Sequence, residues 1–252
     1  MLIDSLFRSI KSLLVSFWFM LGGAPRVMRI DGKKFLLRRE HFQARHALRH
    51  GWEDLFLSLE MLVDSETLFF DIGANVGIAS VLLAPTARQV FAFEPTPEAF
   101  ADLASNIRLN DCSNVTPIPV ALSRVSGIQA MRNSPCWGHN SIVKNSDSSL
   151  GKPVINVPVM TLDLSWELLI QGWSGQSESQ RLLIKIDVEG HELDVLYGSR
   201  SLLESRDNIV ICFEAWDCLH GDPCVAFLEG LGFEKMQPPL GNGCMDVFMR
   251  KS

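Results

Sequence analysis

The chain of 252 residues is 47% hydrophobic and 21% charged, which excludes a disordered segment and leaves room for one sizeable core, or a core with an added subdomain. Residues 1–52 carry ten Lys/Arg against three Asp/Glu, whereas residues 53–252 carry thirteen against twenty-six, so a basic head of +7 precedes an acidic body of −13. The body repels phosphates and makes nucleic acid a poor acceptor; the head is either a solvated face or the contact for an anionic neighbour such as a membrane surface.

Within residues 2–21, Leu6, Phe7, Ile10, Leu13, Leu14, Phe17, Trp18 and Leu21 recur at steps of three and four, with Arg8 and Lys11 on another face. That spacing predicts an amphipathic helix, suited to lie in a membrane interface or to dock on its own domain. Its apolar stretch is shorter than the roughly 20 residues that span a bilayer. The expected location is cytoplasmic, with peripheral contact at the inner membrane surface as the membrane version of this reading. The runs around Asp31-Gly32 predict a short hairpin, and a helical pattern covers residues 42–63. Strands and helices then alternate. Strands are expected at residues 67–71, 89–94, 114–122, 181–187 and 208–214, and helices after Gly77 up to Pro85, over 97–110, 191–203 and 223–231. The prolines of "NVTPIPVAL" place its strand toward an edge. "FEKM" and "MDVFMR" close the chain as a hairpin. Residues 123–158 are irregular, with β-like pieces near 128–131, 141–143 and 154–160. Six cysteines without C-x-x-C spacing read as reduced thiols, not as a disulfide or zinc framework.

The repeated strand–helix units predict an α/β fold, a doubly wound and mostly parallel sheet with a terminal antiparallel hairpin. Ligands in such sheets sit at the carboxyl ends of the strands, where Asp71, Glu94, Asp187 and Glu214 fall. Gly73 and Gly77 lie between a strand and a helix but spell G-A-N-V-G, so the pyrophosphate fingerprint is not met. Glu94 follows Gly73 by 21 residues, where a carboxylate can accept from a ribose diol. A nucleoside with a cationic remainder and no phosphate suits this acidic row. S-adenosylmethionine meets that description.

At these residues the chain resembles a known family. "FFDIGANVG", "FAFEPTPEAF", "VALS" and above all "LLIKIDVEGHELDVLYG" are similar to the FkbM family of S-adenosylmethionine-dependent methyltransferases, over about residues 52–248. The resemblance implies a class I, Rossmann-like domain over residues 53–252, preceded by a basic extension, residues 1–52, that holds the amphipathic helix and the short hairpin. It also implies O-methylation of sugars or of hydroxyls on natural products. By the same resemblance Asp71, Gly73, Ala74, Asn75 and Gly77 would line the methionine part of the cofactor and Glu94 would hold the ribose. Ala121, Leu122 and Ser123 would lie near the adenine, and "WGHNS", residues 137–141, loosely represents the family's middle stretch.

Methyl transfer to a hydroxyl requires alignment of oxygen, methyl and sulfur and removal of the hydroxyl proton. Asp187, Glu189 and His191 are the candidates for that base, a carboxylate ahead of the histidine, with Glu214 orienting the substrate. Asp187, Glu189 and Glu214 also suit Mg²⁺, which is the lesser alternative to a site without metal. Lys185 is an ion-pair partner of a neighbouring acid, structural or functional. Residues 132–152, with Trp137, form either the cover for a sugar acceptor or a surface excursion. Two other readings exist. A nicotinamide-dependent oxidoreductase or epimerase lacks its third glycine here, and the one Tyr, Tyr197, has Ser201 where a short-chain dehydrogenase needs Lys. A non-catalytic, methyltransferase-like membrane scaffold has no need of four acids at the strand ends.

Overall fold

The computed structural model describes residues 25–38, 53–132, 141–142, 154–170, 180–214, 222–237 and 246–251. The amphipathic pattern of residues 2–21, the first part of the helical pattern before residue 53, and Trp137 lie outside the described residues. Strands β1 (Arg26–Ile30) and β2 (Lys33–Leu37) pair antiparallel around Asp31 and Gly32, both at positive φ, as a two-residue hairpin turn demands. Helix α1 (Glu53–Leu62) follows.

Five parallel strands make up one side of a seven-stranded sheet: β3 (Leu68–Ile72), β4 (Gln89–Phe93), β5 (Val115–Ile118), β10 (Leu182–Ile186) and β11 (Ile209–Glu214). β13 (Asp246–Lys251) inserts antiparallel between β11 and β12 (Glu234–Met236), giving the order β12-β13-β11-β10-β3-β4-β5. The proline-bearing β5 is an edge strand, where a missing ladder donor costs least. The terminal hairpin differs in one respect from expectation: its last strand is interior, and β12 forms the edge.

Both faces of the sheet are covered, which is why β3 and β10 read as unbroken apolar runs. Successive side chains point to opposite faces, so Phe69 packs with α1, α2 (Ile78–Leu83), α3 (Pro97–Leu109) and the hairpin residues Phe35 and Leu37. Phe70 packs on the other face, among α4 (Leu162–Ile170), α5 (Glu192–Tyr197), α6 (Arg200–Ser205) and α7 (Pro223–Glu229). The α4 helix was not legible from periodicity, because it is apolar on several sides and its place is decided by packing of Leu162 and Trp166. The single helix expected over residues 191–203 is two. The Ser199 hydroxyl donates to the Leu196 carbonyl (2.8 Å), and Asp163 of α4 caps a new start by accepting from the backbone N–H groups of Ser201 (3.1 Å) and Leu202 (2.8 Å).

The hairpin is fastened to α3 by polar side chains. The Leu36 N–H donates to Asn106 Oδ1 (2.6 Å), Arg38 pairs with Asp102 (2.6 Å), and Asn106 Nδ2 donates to the Val76 carbonyl (2.8 Å). Asn106 is fully buried and ties the hairpin to the segment after β3. Asn106→Ala strands one donor and one acceptor, and is expected to destabilise the chain by about 2–4 kcal/mol in urea unfolding.

The irregular region contains a second sheet. β6 (Ala121–Leu122), β9 (Val154–Met160), β7 (Gly127–Arg132) and β8 (Ser141–Ile142) lie side by side in that order. Ala121, Met131, Val157 and Val159 form its own small core. Its pairs join residues far apart in sequence, Gly127 with Val159 and Arg132 with Val154, so short strands are held by partners that no local pattern reveals. Among the described residues no helix is long and apolar enough to cross a membrane, and Cys112, Cys212 and Cys224 are buried.

Candidate active site

The ends of three parallel strands are locked edge to edge. Gly73 and Ala74 donate through their backbone N–H groups to the Phe93 carbonyl (3.0 and 2.9 Å), and Asp187 N–H donates to the Ile72 carbonyl (3.1 Å). Gly73 sits at φ 79°, and a Cβ there would lie 2.0 Å from the Asp187 backbone oxygen. A side chain at Gly77, φ 83°, would meet Leu103 Cδ1 at 2.4 Å. Both glycines therefore serve close approach as well as the left-handed turn.

Over these ends opens a cleft. Phe93, Pro95, Val120, Ala121 and Leu122 give it apolar walls, and Gly73, Asn75, Glu94, Asp187, Glu189 and His191 line it as well. Met131 and Ile142 reach it from the second sheet. A smaller pocket adjoins, lined by Asp71, Ala74 and Lys185 together with Gly73, Asn75 and Asp187. Of the residues singled out from sequence, Gly77 packs on Leu103. Ser123 is bonded to His191, and Glu214 ends β11 opposite Asp246. None of these three is among the described residues that line the larger cleft.

Glu94 is buried, and its two oxygens accept from the N–H groups of Asn75 (3.0 Å) and Thr96 (2.8 Å). Burial pushes its pKa up, the hydrogen bonds from Thr96 and Asn75 pull it back, and Asp71 adds to the rise. Asp71 turns away from the larger cleft. Its Oδ2 accepts from Ser80 N–H (3.1 Å) and Ser80 Oγ (2.6 Å), and its Oδ1 meets the Lys185 ammonium at 3.4 Å. Lys185 reaches Asp187 at 3.3 Å. Burial opposes the Lys185 charge, but Asp187 and Asp71 outweigh it and hold the group above the usual lysine range.

The loop between β10 and α5 wraps around one carboxylate: Glu192 accepts from the N–H groups of Val188 (3.2 Å) and Gly190 (3.1 Å). This holds Glu189 at φ 55°, an uncommon conformation for a residue with a side chain. Burial pushes the Glu189 pKa up to about 7, with Asp187 and Glu192 adding to it and Lys185 opposing. His191 is buried, with Nε2 3.0 Å from Ser123 Oγ and Nδ1 3.4 Å from Asp194, which also pairs with Arg124. Sequence reasoning passed over Ser80 and Glu192. The signal for Glu192 was its place in the first turn of a helix, where a carboxylate can turn back onto orphan N–H groups.

This donor set fits an adenosine-bearing ligand: apolar walls for a base, a buried carboxylate beside them for a diol, and further carboxylates where positive charge is welcome. No group of three or more His, Cys, Asp or Glu among the described residues is placed to hold a metal ion, and no step is assigned to one.

The Methyltransferase FkbM domain family matches residues 71–232. Hexuronic acid methyltransferase AglP of Haloferax volcanii is 29% identical over 163 residues, which are 64% of this chain and 62% of that protein. Methyltransferase sdnD of Sordaria araneosa is 30% identical over 196 residues, 68% of this chain and 74% of that protein. The chain thus spans less than two thirds of the length of the first of these relatives. Among solved structures, wild-type Trm5b from Pyrococcus abyssi superposes with a TM-score of 0.50 at 16% identity, covering 90% of this chain and 56% of that one, a likeness of fold alone. The motif, the strand order and the matched relatives agree: the chain belongs to the FkbM methyltransferase family and has its class I, Rossmann-like fold.

Proposed function

We propose that the chain is an S-adenosylmethionine-dependent O-methyltransferase acting on a hydroxyl of a sugar, in a glycan, a glycolipid or a glycosylated metabolite. The observation that carries this reading is that one cleft is lined by a buried Glu94, by apolar walls and by a Glu189 whose pKa is pushed up to about 7. The bound cofactor supplies an electrophilic methyl group on a sulfonium. Glu94 receives the ribose diol, Phe93, Ala121 and Leu122 flank the base, and Gly73 and Asn75 lie along the chain toward sulfur. Glu189 takes the proton from the acceptor hydroxyl, a task for which a pKa near the working pH is best. Asp187 and His191 line the same cleft and orient the acceptor. The sugar in this reading is supported by the name of the Haloferax relative, a hexuronic acid methyltransferase.

Calorimetric titration with S-adenosylmethionine, S-adenosylhomocysteine and NAD in parallel tests the cofactor class. Binding of the two adenosyl thio-compounds without NAD is expected; binding of NAD alone sinks the reading. Glu94→Ala is expected to weaken S-adenosylhomocysteine binding by about 1.5–3 kcal/mol through loss of charged hydrogen bonds, and an unchanged affinity would mean that the ribose lies elsewhere. The periodicity of residues 2–21 carries a separate proposal, peripheral contact with an anionic membrane. Flotation of the full-length chain with anionic liposomes at low salt is expected, and its absence ends that idea.

A further inference from the structure

The hairpin of β1 and β2 has a face that no role assigned so far uses. Met28, Ile30, Phe35 and Leu37 pack on the core, so the alternate residues Val27, Arg29, Lys34 and Leu36 face outward. Register sets these four in two direct pairs, Val27 opposite Leu36 and Arg29 opposite Lys34. Like charges directly opposite each other weaken a strand pair, and a two-stranded ribbon has little stability of its own to lose. Arg29 and Lys34 are exposed, and Val27 beside them is 53% exposed.

These two cations differ from those of the body. Arg88, Arg124, Arg181 and Arg200 each meet a carboxylate. Among the described residues no carboxylate pairs with Arg29 or Lys34, and the Arg29 guanidinium donates to the neutral Gly32 carbonyl (3.0 Å). Residues 25–38 hold five cations and one acid, whereas residues 53–252 sum to −13. An opposed pair of cations with an apolar neighbour is completed by a surface that is anionic and also admits an apolar side chain. A bilayer with anionic headgroups has both properties. It is a plane, so it meets this face while the acidic body points away, whereas a nucleic acid brings its phosphates to that body as well. Chain continuity favours the same partner. Residues 22–26 alone separate Val27 from the amphipathic pattern of residues 2–21, at most about 20 Å of chain. β2 runs along α3 from Asn110, bonded to the Lys34 N–H, to Asp102, paired with Arg38, in the direction of Ala99 of the cleft. The chain thus enters the hairpin on its cleft side.

We propose that the outer face of this hairpin, Arg29 and Lys34 with Val27, docks on an anionic lipid bilayer. The partner is the one read for residues 2–21, but the residues and the observations are different, and each contact can fail without the other.

Flotation of the full-length chain with vesicles of phosphatidylcholine, alone or mixed with phosphatidylserine, tests this at low and high salt. Wild type is expected to float with the mixed vesicles only, and high salt to release it. Arg29→Gln/Lys34→Gln is expected to weaken that binding by about 10- to 30-fold, the effect of two charges near the surface. Its thermal unfolding should be unchanged or slightly raised, because like charges no longer oppose each other. The same charge change at Arg88 and Arg200, which already have acidic partners, should leave flotation as it was. Equal weakening by that control overturns the proposal, since net charge alone would then decide. Phe17→Ser/Trp18→Ser separates the two contacts. If it abolishes flotation while Arg29→Gln/Lys34→Gln floats like wild type, residues 2–21 alone touch lipid and the hairpin proposal falls. The reverse result supports the hairpin and removes the reading of residues 2–21. Wild type floating with neither vesicle overturns both. Retention on an immobilised acidic peptide without flotation assigns the face to a protein partner and overturns the proposal.

Discussion

Glu189→Gln is expected to lower kcat by about 10²- to 10⁴-fold while leaving S-adenosylhomocysteine affinity nearly unchanged, since an amide cannot accept the hydroxyl proton. Under the proposed role of Glu189 as the base, the ionised carboxylate is the active form, so activity is expected to rise with pH through about 7, where burial and the neighbouring Asp187 and Glu192 have placed this group. The variant lacks that limb. Stability moves the other way. The folded-state pKa lies above the ordinary 4.5, so below pH 4.5 the group is protonated in both states and costs nothing. Between pH 4.5 and 7 the unfolded chain releases this proton before the folded one, and stability falls as pH rises. Above about 7 the cost is constant. The group is partly exposed, so solvent screening reduces the effect to about 1–2 kcal/mol. Urea unfolding should find Glu189→Gln more stable than wild type at pH 8 by that amount and equal to it near pH 4. Glu94 and Glu192 shift in the same direction but are present in both proteins, so they cancel in the difference. A loss of activity joined to a gain of stability marks strain held for function. An unaltered kcat would assign the proton to His191 or Asp187.

Gly73→Ala is the second large effect. A methyl group there would stand 2.0 Å from the backbone oxygen of Asp187, at φ 79°. Alanine in the left-handed region costs about 1–2 kcal/mol before any contact is counted. The clash is with backbone, which cannot rotate away, so the ends of β3 and β10 must separate. The total expected loss is about 3–5 kcal/mol in thermal or urea unfolding. Cofactor affinity should fall with it, because Gly73 and Asp187 line both pockets. Gly77→Ala is the internal comparison. Its methyl group meets the far end of the Leu103 side chain, which can move, so its cost should be smaller. If Gly77→Ala proved the more damaging, packing on α3 and not the approach of the two strands would be the critical constraint.

The parts of the fold that were legible are those governed by neighbours in sequence. The unbroken apolar runs of β3 and β10 announced a sheet covered on both sides, Pro117 and Pro119 announced an edge, and Asp31-Gly32 announced a hairpin. Three strands of the second sheet were legible as β-like pieces near residues 128–131, 141–143 and 154–160, but their assembly was not, because pairs such as Gly127 with Val159 close loops of some thirty residues. Helix α4 escaped because its apolar residues do not keep to one stripe.

The site divides along the same line. Sequence by itself determined that acidic residues end β3, β4, β10 and β11, that two glycines separate β3 from α2, and that Glu189 and His191 follow β10 at a sharp turn, since each is a matter of spacing along one strand and its loop. Only the tertiary structure decided what those acids do. Lys185 lies 114 residues from Asp71, and parallel register places them opposite each other, so the acidic row carries its own buried cation. Asp71 is thereby turned from the larger cleft to the smaller pocket, with Ser80 holding it there. Glu94 and Glu189, held by N–H groups or lifted by burial, are left to line the same cleft. A carboxylate's charge is written in its residue type, but its pKa and direction are set by desolvation and by partners that only strand pairing brings within reach.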